Sequence, residues 1–504
     1  MKHFPNLFSS ASLGKVILKN RLIFGPHATS LGCDGKVTEE LIAYHEARAR
    51  GGAGLIILEG ATIHETYAYP EQFIYLGSDK CIPGIKKLTD RCHQYDCKVI
   101  GQLFHAGRAV RISLDGSQPV AWAPSEIPDE RYRIVPKEMP REMIYEIIEA
   151  YSEAALRLQK AGCDGVEVLA GMGYLVAQFM NPSTNQRKDE FGGSFENRLR
   201  FLSEILIKTR AKVGGEFVIG IRVSGDELDG LGLDANDMLK ICKTIDDKQL
   251  VDYFNVIASS SATPFGWIRV FPPMEIKPLY AAPFAKEIRK NVSRPVILGG
   301  RINQPQEAEK IISEGVADFC AMVRPFIADP EFAIKAKSGN SEYIRACVAC
   351  NQACVGHRLA HFPVSCIQYP ESGREQIYGE LELVKKSQKV MIVGGGPAGM
   401  KAAIVAANRG HSVEIFEKSA QLGGQVLLAQ QLPGREEFGG VATNLAHELQ
   451  ATTAITHLNQ EVTAQKITEF AADVVIIATG SVARKANLDL DEKTDIIYAH
   501  DIIE

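Results

Sequence analysis

Along the first 340 residues, short apolar runs alternate with longer stretches in which apolar positions recur every three or four residues. The runs are RLIFGPH (21–27), AGLIILEG (53–60), KVIGQLF (98–104), DGVEVLA (164–170), FVIGIRV (217–223), VDYFNVI (251–257), RPVILGG (294–300) and ADFCAMVRP (317–325), eight in all. They are rich in Val, Ile and Leu and do not alternate cleanly with polar residues, as expected of parallel strands buried on both faces. Between them the spacing is helical. In YSEAALRLQKA, Tyr151, Ala154, Ala155, Leu158 and Ala161 share one face. The pattern predicts an α/β fold, a (β/α)8 barrel over 1–340 with inserted loops. A doubly wound open sheet is the competing arrangement.

Gly25, Pro26 and His27 end the first run, Gly60 the second and Arg222 the fifth, while Gln102 lies near the end of the third. Gly299, Gly300 and Arg301 end the seventh, and Val323 and Arg324 the eighth. In a barrel these positions gather on the C-terminal rim, where active sites are built and where strands seven and eight often hold phosphate. A phosphorylated cofactor is therefore expected, against the plainer account in which the glycines only terminate strands.

Beyond the barrel pattern, residues 341–370 carry Cys347, Cys350, Cys354 and Cys366 at C-x2-C-x3-C-x11-C spacing. A close trio with one more distant cysteine suits a cubane iron–sulfur cluster. Zinc, which also takes four thiolates, is the rival, although zinc ribbons show two separated C-x2-C pairs. The other seven cysteines are scattered singly and read as reduced thiols of a cytosolic protein.

Residues 371–388 are polar and read as a linker. From 389 the chain runs strand, glycine turn, helix, strand: KVMIVGGGPAGMKAAIVAANRGHSVEIFEK. Gly394, Gly396 and Gly399 fit G-x-G-x-x-G, with Glu417 at the end of the second strand. Such glycines let backbone approach a pyrophosphate at a helix N-terminus, and the acid can hold a ribose hydroxyl. The strand–helix–strand context makes the motif specific. A further buried strand, ADVVIIATGS (472–481), leads into Ala478, Thr479 and Gly480. Residues 389–504 therefore read as a partial, Rossmann-like dinucleotide-binding domain.

The 504-residue composition is that of a globular protein, 45% hydrophobic and 23% charged, with net charge −5. A basic surface for nucleic acid is not indicated. No apolar run is long enough to span a membrane, and MKHFPNLFSS lacks the apolar core of a signal peptide. A cytoplasmic protein acting on a small molecule, with neither nucleic acid nor membrane as partner, is expected. Self-association into a homo-oligomer is left open.

The stretches GQLFHAGR, GYLVAQFMNPSTNQRKDEFGGSFENRLRF, GGRIN, VRPFIADPE, CVACNQAC and VGGGPAGMKAA together resemble the Old Yellow Enzyme family. More closely, the whole chain resembles its iron–sulfur flavoprotein branch of bacterial 2,4-dienoyl-CoA reductase, 2-enoate reductases and trimethylamine dehydrogenase. The resemblance implies a barrel that binds FMN. Pro26, His27 and Ala28 would line the flavin ring with Gly60 beside them. Gln102 would meet the pyrimidine edge, and Arg222 the side where negative charge collects on reduction. Gly300, Arg301, Val323 and Arg324 would hold the phosphate. It likewise implies a 4Fe–4S cluster on Cys347, Cys350, Cys354 and Cys366. FAD would lie at Gly394, Gly396, Pro397, Ala398, Gly399, Glu417, Gln425, Ala478, Thr479 and Gly480. Tyr174 matches the tyrosine that gives a proton to the substrate.

Three departures stand out. The histidine pair that anchors a substrate carbonyl in many relatives is replaced by Leu169 and Met172. Ala28 stands where trimethylamine dehydrogenase attaches its flavin, so the FMN is expected to be noncovalent. The loop IASSSATPFGW has serines at 259–261 and no clear counterpart of the reductases' assisting histidine. The chain also stops at Glu504 before a second glycine fingerprint for NAD(P)H, which leads us to expect a truncated product.

The resulting expectation is an NAD(P)H-dependent enzyme that reduces the C=C bond of a 2-enoate or of a 2-enoyl or 2,4-dienoyl thioester. Electrons would pass from NAD(P)H through FAD and the cluster to FMN. Two alternatives stand: oxidation of a methylated amine by an amine dehydrogenase or N-demethylase, and a truncated electron-transfer module without turnover of its own.

Overall fold

In the computed structural model, residues 3–67, 73–110, 116, 120–484, 496–498 and 502–503 are described. The chain divides into two compact units, Met1–Ser341 with Asn351–Ile377, and Glu342–Cys350 with Tyr378–Glu504.

In the first unit the eight apolar runs form β1 (Leu22–Phe24), β2 (Leu55–Thr62), β3 (Lys98–Phe104), β4 (Gly165–Leu169), β5 (Val218–Ser224), β6 (Tyr253–Ile257), β7 (Val296–Gly299) and β8 (Phe319–Ala321). Each pairs in parallel with its neighbours in chain order, and β8 pairs with β1 to close the barrel, which excludes the open sheet. The principal helices between strands are α1 (Glu39–Arg50), α2 (Ile82–His93), α3 (Arg141–Lys160), α4 (Phe195–Val213), α5 (Ala235–Asp247), α6 (Ala282–Asn291) and α7 (Pro305–Ser313). Capping follows the sequence: Thr38, Ser194 and Asp234 each accept a first-turn amide through the side chain. The α3 stripe of Tyr151, Ala154, Ala155 and Leu158 is buried as its spacing predicts.

Strand β2 departs from the reading in which Gly60 ends it. Its register with β3 shifts between Ile57 and Gly60 and resumes with Gly60 opposite Gln102, so the strand runs on to Thr62.

The N-terminal end of the barrel is plugged. A hairpin, Ala11–Leu13 paired with Val16–Leu18, sends Leu13 and Leu18 against Ile23, Leu55, Ile100, Val218, Ile297 and Phe319. Each such fully buried side chain contributes about 1.5–3 kcal/mol. With that end closed by apolar packing, the polar side chains inside the barrel lie toward the opposite rim.

The stretch read as a linker begins inside this unit. Glu375 is buried and ion-paired with Arg48 of α1, whose side chain has no exposure. A charged segment reads as solvated in sequence because its partner lies 327 residues away.

The second unit holds a parallel sheet of β9 (Lys389–Val393), β10 (Ser412–Phe416), β11 (Ile455–His457) and β12 (Val474–Ile477), in the order β11-β10-β9-β12. Helices α8 (Pro397–Asn408) and α9 (Gly439–Gln450) pack on it through Met400, Ala403, Ile404, Val441 and Leu445. Residues 342–350 belong to this unit. Val348 enters the same core, and Arg345 ion-pairs with Glu448.

Candidate functional site

The barrel interior carries a buried polar layer. Glu167 of β4 is fully buried and accepts from Gln102 Nε2 (2.7 Å), Asn255 Nδ2 (2.9 Å) and Tyr253 Oη (3.0 Å). Gly220 makes room for the Tyr253 ring: a Cβ there would lie 2.1 Å from it. Burial raises the pKa of Glu167, and the nearby Arg222 charge and these three donors offset only part of that. Arg222 donates to the Pro26 carbonyl (3.2 Å), while its Nε is buried without a partner. Burial lowers its pKa, and Glu167, Tyr280, Tyr253 and Tyr174 act electrostatically in the other direction. Glu167, Tyr253 and Asn255 were invisible to motif reading, because apolar strands hide which positions face inward.

Around this layer stand the residues expected to line a flavin. His27 donates from Nδ1 to the Gly25 carbonyl (3.0 Å) and accepts at Nε2 from Tyr44 Oη (2.8 Å). Burial pulls its pKa down to about 4, so the ring is neutral. Gly60 is a cradle: a Cβ there would press at 3.1 Å on both Gln102 Oε1 and Phe104. Directly after β7, Gly300 (φ 144°) and Arg301 (φ 51°) take left-handed backbone conformations. A Cβ on Gly25 would lie 3.1 Å from Val323, so the first and last strand ends meet. Arg324 donates to the Pro272 carbonyl (2.8 Å) and Asn351 Oδ1 (2.7 Å). A phosphorylated flavin fits these features: a buried cation with one donor nitrogen unpartnered, a glycine cradle, and backbone after β7 suited to close approach.

Tyr174 precedes the short helix Leu175–Met180 and meets Phe104 edge-on, with centroids 4.7 Å apart. Ala28, Tyr67, Phe73, Phe104, Leu169 and Met172 surround it in one apolar cluster. Met172 (φ 60°) is braced by the serine loop: its carbonyl accepts from the Ser261 amide (3.0 Å) and Oγ (2.7 Å), and its amide donates to Ser224 Oγ (3.0 Å). The serines therefore hold a backbone turn. Parts of the 105–140 loop lie outside the described residues; Arg131 there stacks over Trp267, 3.3 Å from the ring centroid.

Beside this cluster runs a directed hydrogen-bond row. The Gly107 amide donates to His105 Nδ1 (3.0 Å), which makes His105 Nε2 the donor to Thr66 Oγ1 (2.9 Å). Burial holds the His105 pKa down at about 3, so that ring is neutral. Thr66 in turn donates to His64 Nδ1 (2.8 Å), and His64 Nε2 donates to Glu146 (3.2 Å), whose side chain is exposed.

The four clustered cysteines are each partly exposed. Cys347 and Cys350 belong to the second unit, where the Ala349 amide donates to Cys347 Sγ (3.4 Å) and Ala349 turns through φ 49°. Cys354 and Cys366 belong to the first, where the Ser365 amide bonds the Ala353 carbonyl (2.8 Å) and the Val364 amide bonds the Thr29 carbonyl (2.8 Å). A cysteine sulfur that accepts a main-chain amide, as Cys347 does, is donor chemistry suited to iron. The lone cysteines, Cys33 apart, are buried.

In the second unit Gly394 (φ 109°) turns β9 into α8, and Gly396 caps the helix ahead of Pro397 and Ala398. A Cβ on Gly399 would lie 1.9 Å from the Gly394 carbonyl oxygen, so only glycine fits. Glu417 accepts from the amides of Gly395 (2.7 Å) and Ser419 (2.8 Å). Partial burial opposes its ionisation, but those amides outweigh it and leave the pKa lowered. Ala478 packs against the turn, since a Cβ on Gly394 would strike its carbonyl, and Thr479 and Gly480 follow. Gln425 Nε2 reaches the Ser481 carbonyl (2.5 Å). The open helix N-terminus and the anionic Glu417 fit a dinucleotide.

Residues 6–342 match the NADH:flavin oxidoreductase / NADH oxidase family, and residues 388–503 match the pyridine nucleotide-disulphide oxidoreductase family. Among curated proteins, an NADH oxidase of Thermoanaerobacter brockii is 38% identical over 100% of this chain and 77% of its own. An N,N-dimethylglycine/sarcosine dehydrogenase of Chromohalobacter salexigens is 35% identical over 95% of this chain and 69% of its own. Among solved structures, a 2-naphthoyl-CoA reductase in complex with 2-naphthoyl-CoA superposes with a TM-score of 0.90 at 32% identity, over 96% of this chain and 75% of that one. The expectation of a truncated product is not borne out by these comparisons.

Proposed function

Because the chain belongs to the NADH:flavin oxidoreductase / NADH oxidase family and is a flavin-dependent oxidoreductase of the Old Yellow Enzyme type, we propose that it reduces the C=C bond of an activated alkene, a 2-enoate or an enoyl thioester. The observation that carries this reading is Tyr174, a phenol in an otherwise apolar mouth, close enough to Arg222 to act on it electrostatically. Gly60, Gln102, Arg222, Gly300, Arg301, Val323 and Arg324 would hold FMN, which when bound would supply hydride for the β-carbon. Tyr174 gives its proton to the α-carbon, a step for which a phenol is suited because the carbon acid formed is far weaker than phenol itself. Phe104 fixes the ring edge-on, and Leu169 and Met172 keep water from the reacting carbons. Arg222 favours negative charge on the reduced cofactor. Cys347, Cys350, Cys354 and Cys366 would hold a 4Fe–4S cluster, which would supply single-electron transfer. Gly394, Gly396, Gly399 and Glu417 would hold FAD.

A second reading is oxidation of a methylated amine. It is favoured by Leu169 and Met172, which offer no side-chain donor to a carbonyl, and by the dehydrogenase relative. Anaerobic spectroscopy separates the two. Flavin reduced by NAD(P)H and reoxidised by crotonyl-CoA or cinnamate supports alkene reduction. Flavin reduced by dimethylglycine yet indifferent to every enoate or enoyl thioester rejects it.

A further inference from the structure

The polar layer inside the barrel sets an anion against a cation. In strand register Glu167 of β4 stands opposite Gly220 of β5. Arg222, the next residue on the same face of β5, stands opposite Leu169 on one side and Asn255 of β6 on the other. Asn255 links the two charges: it sits beside Arg222 and donates to Glu167 Oε2 (2.9 Å). Of the charged and phenolic neighbours acting on Arg222, Glu167 is the strongest, ahead of Tyr280, Tyr253 and Tyr174. Gln102, Tyr253 and Asn255 all donate to Glu167, a set of partners that suits a carboxylate. One side chain separates that carboxylate from the flavin cradle. Gln102 gives Nε2 to Glu167 (2.7 Å), and its Oε1 is left on the side of Gly60.

A flavin that takes two electrons and one proton gains one net negative charge. A cation beside it favours that state, and an anion opposes it. Buried charges are weakly screened, so both effects persist at ordinary salt. We propose that Glu167 is a positioning residue that acts through Arg222: by offsetting the guanidinium charge it keeps the reduction potential of the barrel flavin low. A low potential favours passing electrons on to a substrate. The inference rests on FMN lying in the barrel, and it does not depend on whether the substrate is an alkene or an amine.

The test is an anaerobic potentiometric titration of the full holoprotein at pH 8, with dithionite and mediator dyes, on the parent, Glu167→Gln and Glu167→Asp. Asn255 Oδ1 is buried without a partner and, once that amide turns, accepts from the new glutamine, so the neutral variant keeps its contacts. Glu167→Gln should shift the FMN equilibrium toward the reduced form by about tenfold or more, a rise of about 30 mV for each factor of ten in a two-electron couple. Glu167→Asp keeps the charge and should stay within about threefold of the parent. Transitions of the other redox centres should stay in place. Equal FMN potentials in parent and Glu167→Gln overturn the proposal. So does an equal shift in Glu167→Asp, or one shared by every centre, which would mark a structural change. Should Glu167→Gln lose its FMN, Tyr253→Phe decides. It removes one donor, leaves the carboxylate charge less offset, and should shift the equilibrium toward oxidised flavin by about twofold or more; no shift, or the opposite one, overturns the proposal. A parent without FMN, seen by extraction and chromatography of the flavins, overturns the flavin reading itself and this inference with it.

Discussion

Replacing Glu375 by glutamine should destabilise the first unit by about 3 kcal/mol. Arg48 has no side-chain exposure, and Glu375 is the anion that compensates its charge. After the change the guanidinium keeps Ser372 Oγ (2.8 Å), the Tyr44 carbonyl (2.8 Å) and the Phe326 carbonyl (3.1 Å), and it still lies over the Tyr44 ring at 3.8 Å. Breaking a buried pair by removing one partner costs about 3–5 kcal/mol. The retained neutral acceptors and the ring place the figure at the lower end. The effect should reach the flavin site, because Tyr44 also donates to His27. Urea unfolding followed by flavin fluorescence measures the loss, and hydrogen exchange in α1 locates it. The companion variant R48M/E375L removes both charges and should recover most of the stability, since apolar replacement of a buried pair is often close to neutral. A Glu375→Gln protein within about 1 kcal/mol of the parent, or a double variant as unstable as the single one, would refute the reasoning.

Three further outcomes are expected. Tyr174→Phe should lower alkene turnover by about 10²–10⁴-fold while leaving flavin reduction by NAD(P)H intact, as stopped-flow half-reactions would show. Burial pushes Glu59 and Glu227 up to about 7 from an ordinary 4.5, so between those values the folded chain holds protons that the unfolded chain has released. These two groups therefore make stability fall as pH rises through that window and level off above it, by about 1.4 kcal/mol per pH unit per group. Urea midpoints from pH 5 to 7.5 should show this slope, flattened in Glu59→Gln and Glu227→Gln. The purified parent should contain about four iron and four labile sulfide per chain. Cys354→Ser should lose most of both, and a chain with one zinc and no iron would restore the zinc reading.

The barrel was legible because parallel strands buried on both faces leave continuous apolar runs, and all eight appear where those runs lie. The glycine turn at 394–399 was legible for a different reason: the Gly394 carbonyl leaves no space for a side chain on Gly399. What could not be read was pairing across the chain. Nothing around Glu375 announces Arg48, and nothing in GVEVL tells that Glu167 gathers donors from β3 and β6. The β2 irregularity was hidden too, since a register shift belongs to two strands at once. Polar residues in apolar runs are the remaining signal, and their partners become visible only when the barrel closes.

The row from Gly107 through His105, Thr66 and His64 to Glu146 has a built-in sense. Its first donor is a main-chain amide that cannot reverse, so each later member inherits its orientation like carriages behind an engine. Cutting the row at Thr66, with valine, would leave both tautomers set by main-chain amides, of Gly107 on His105 and of residue 66 on His64 (3.3 Å), but His105 Nε2 would lose its acceptor and the segment near Tyr67 a tie to the end of β3.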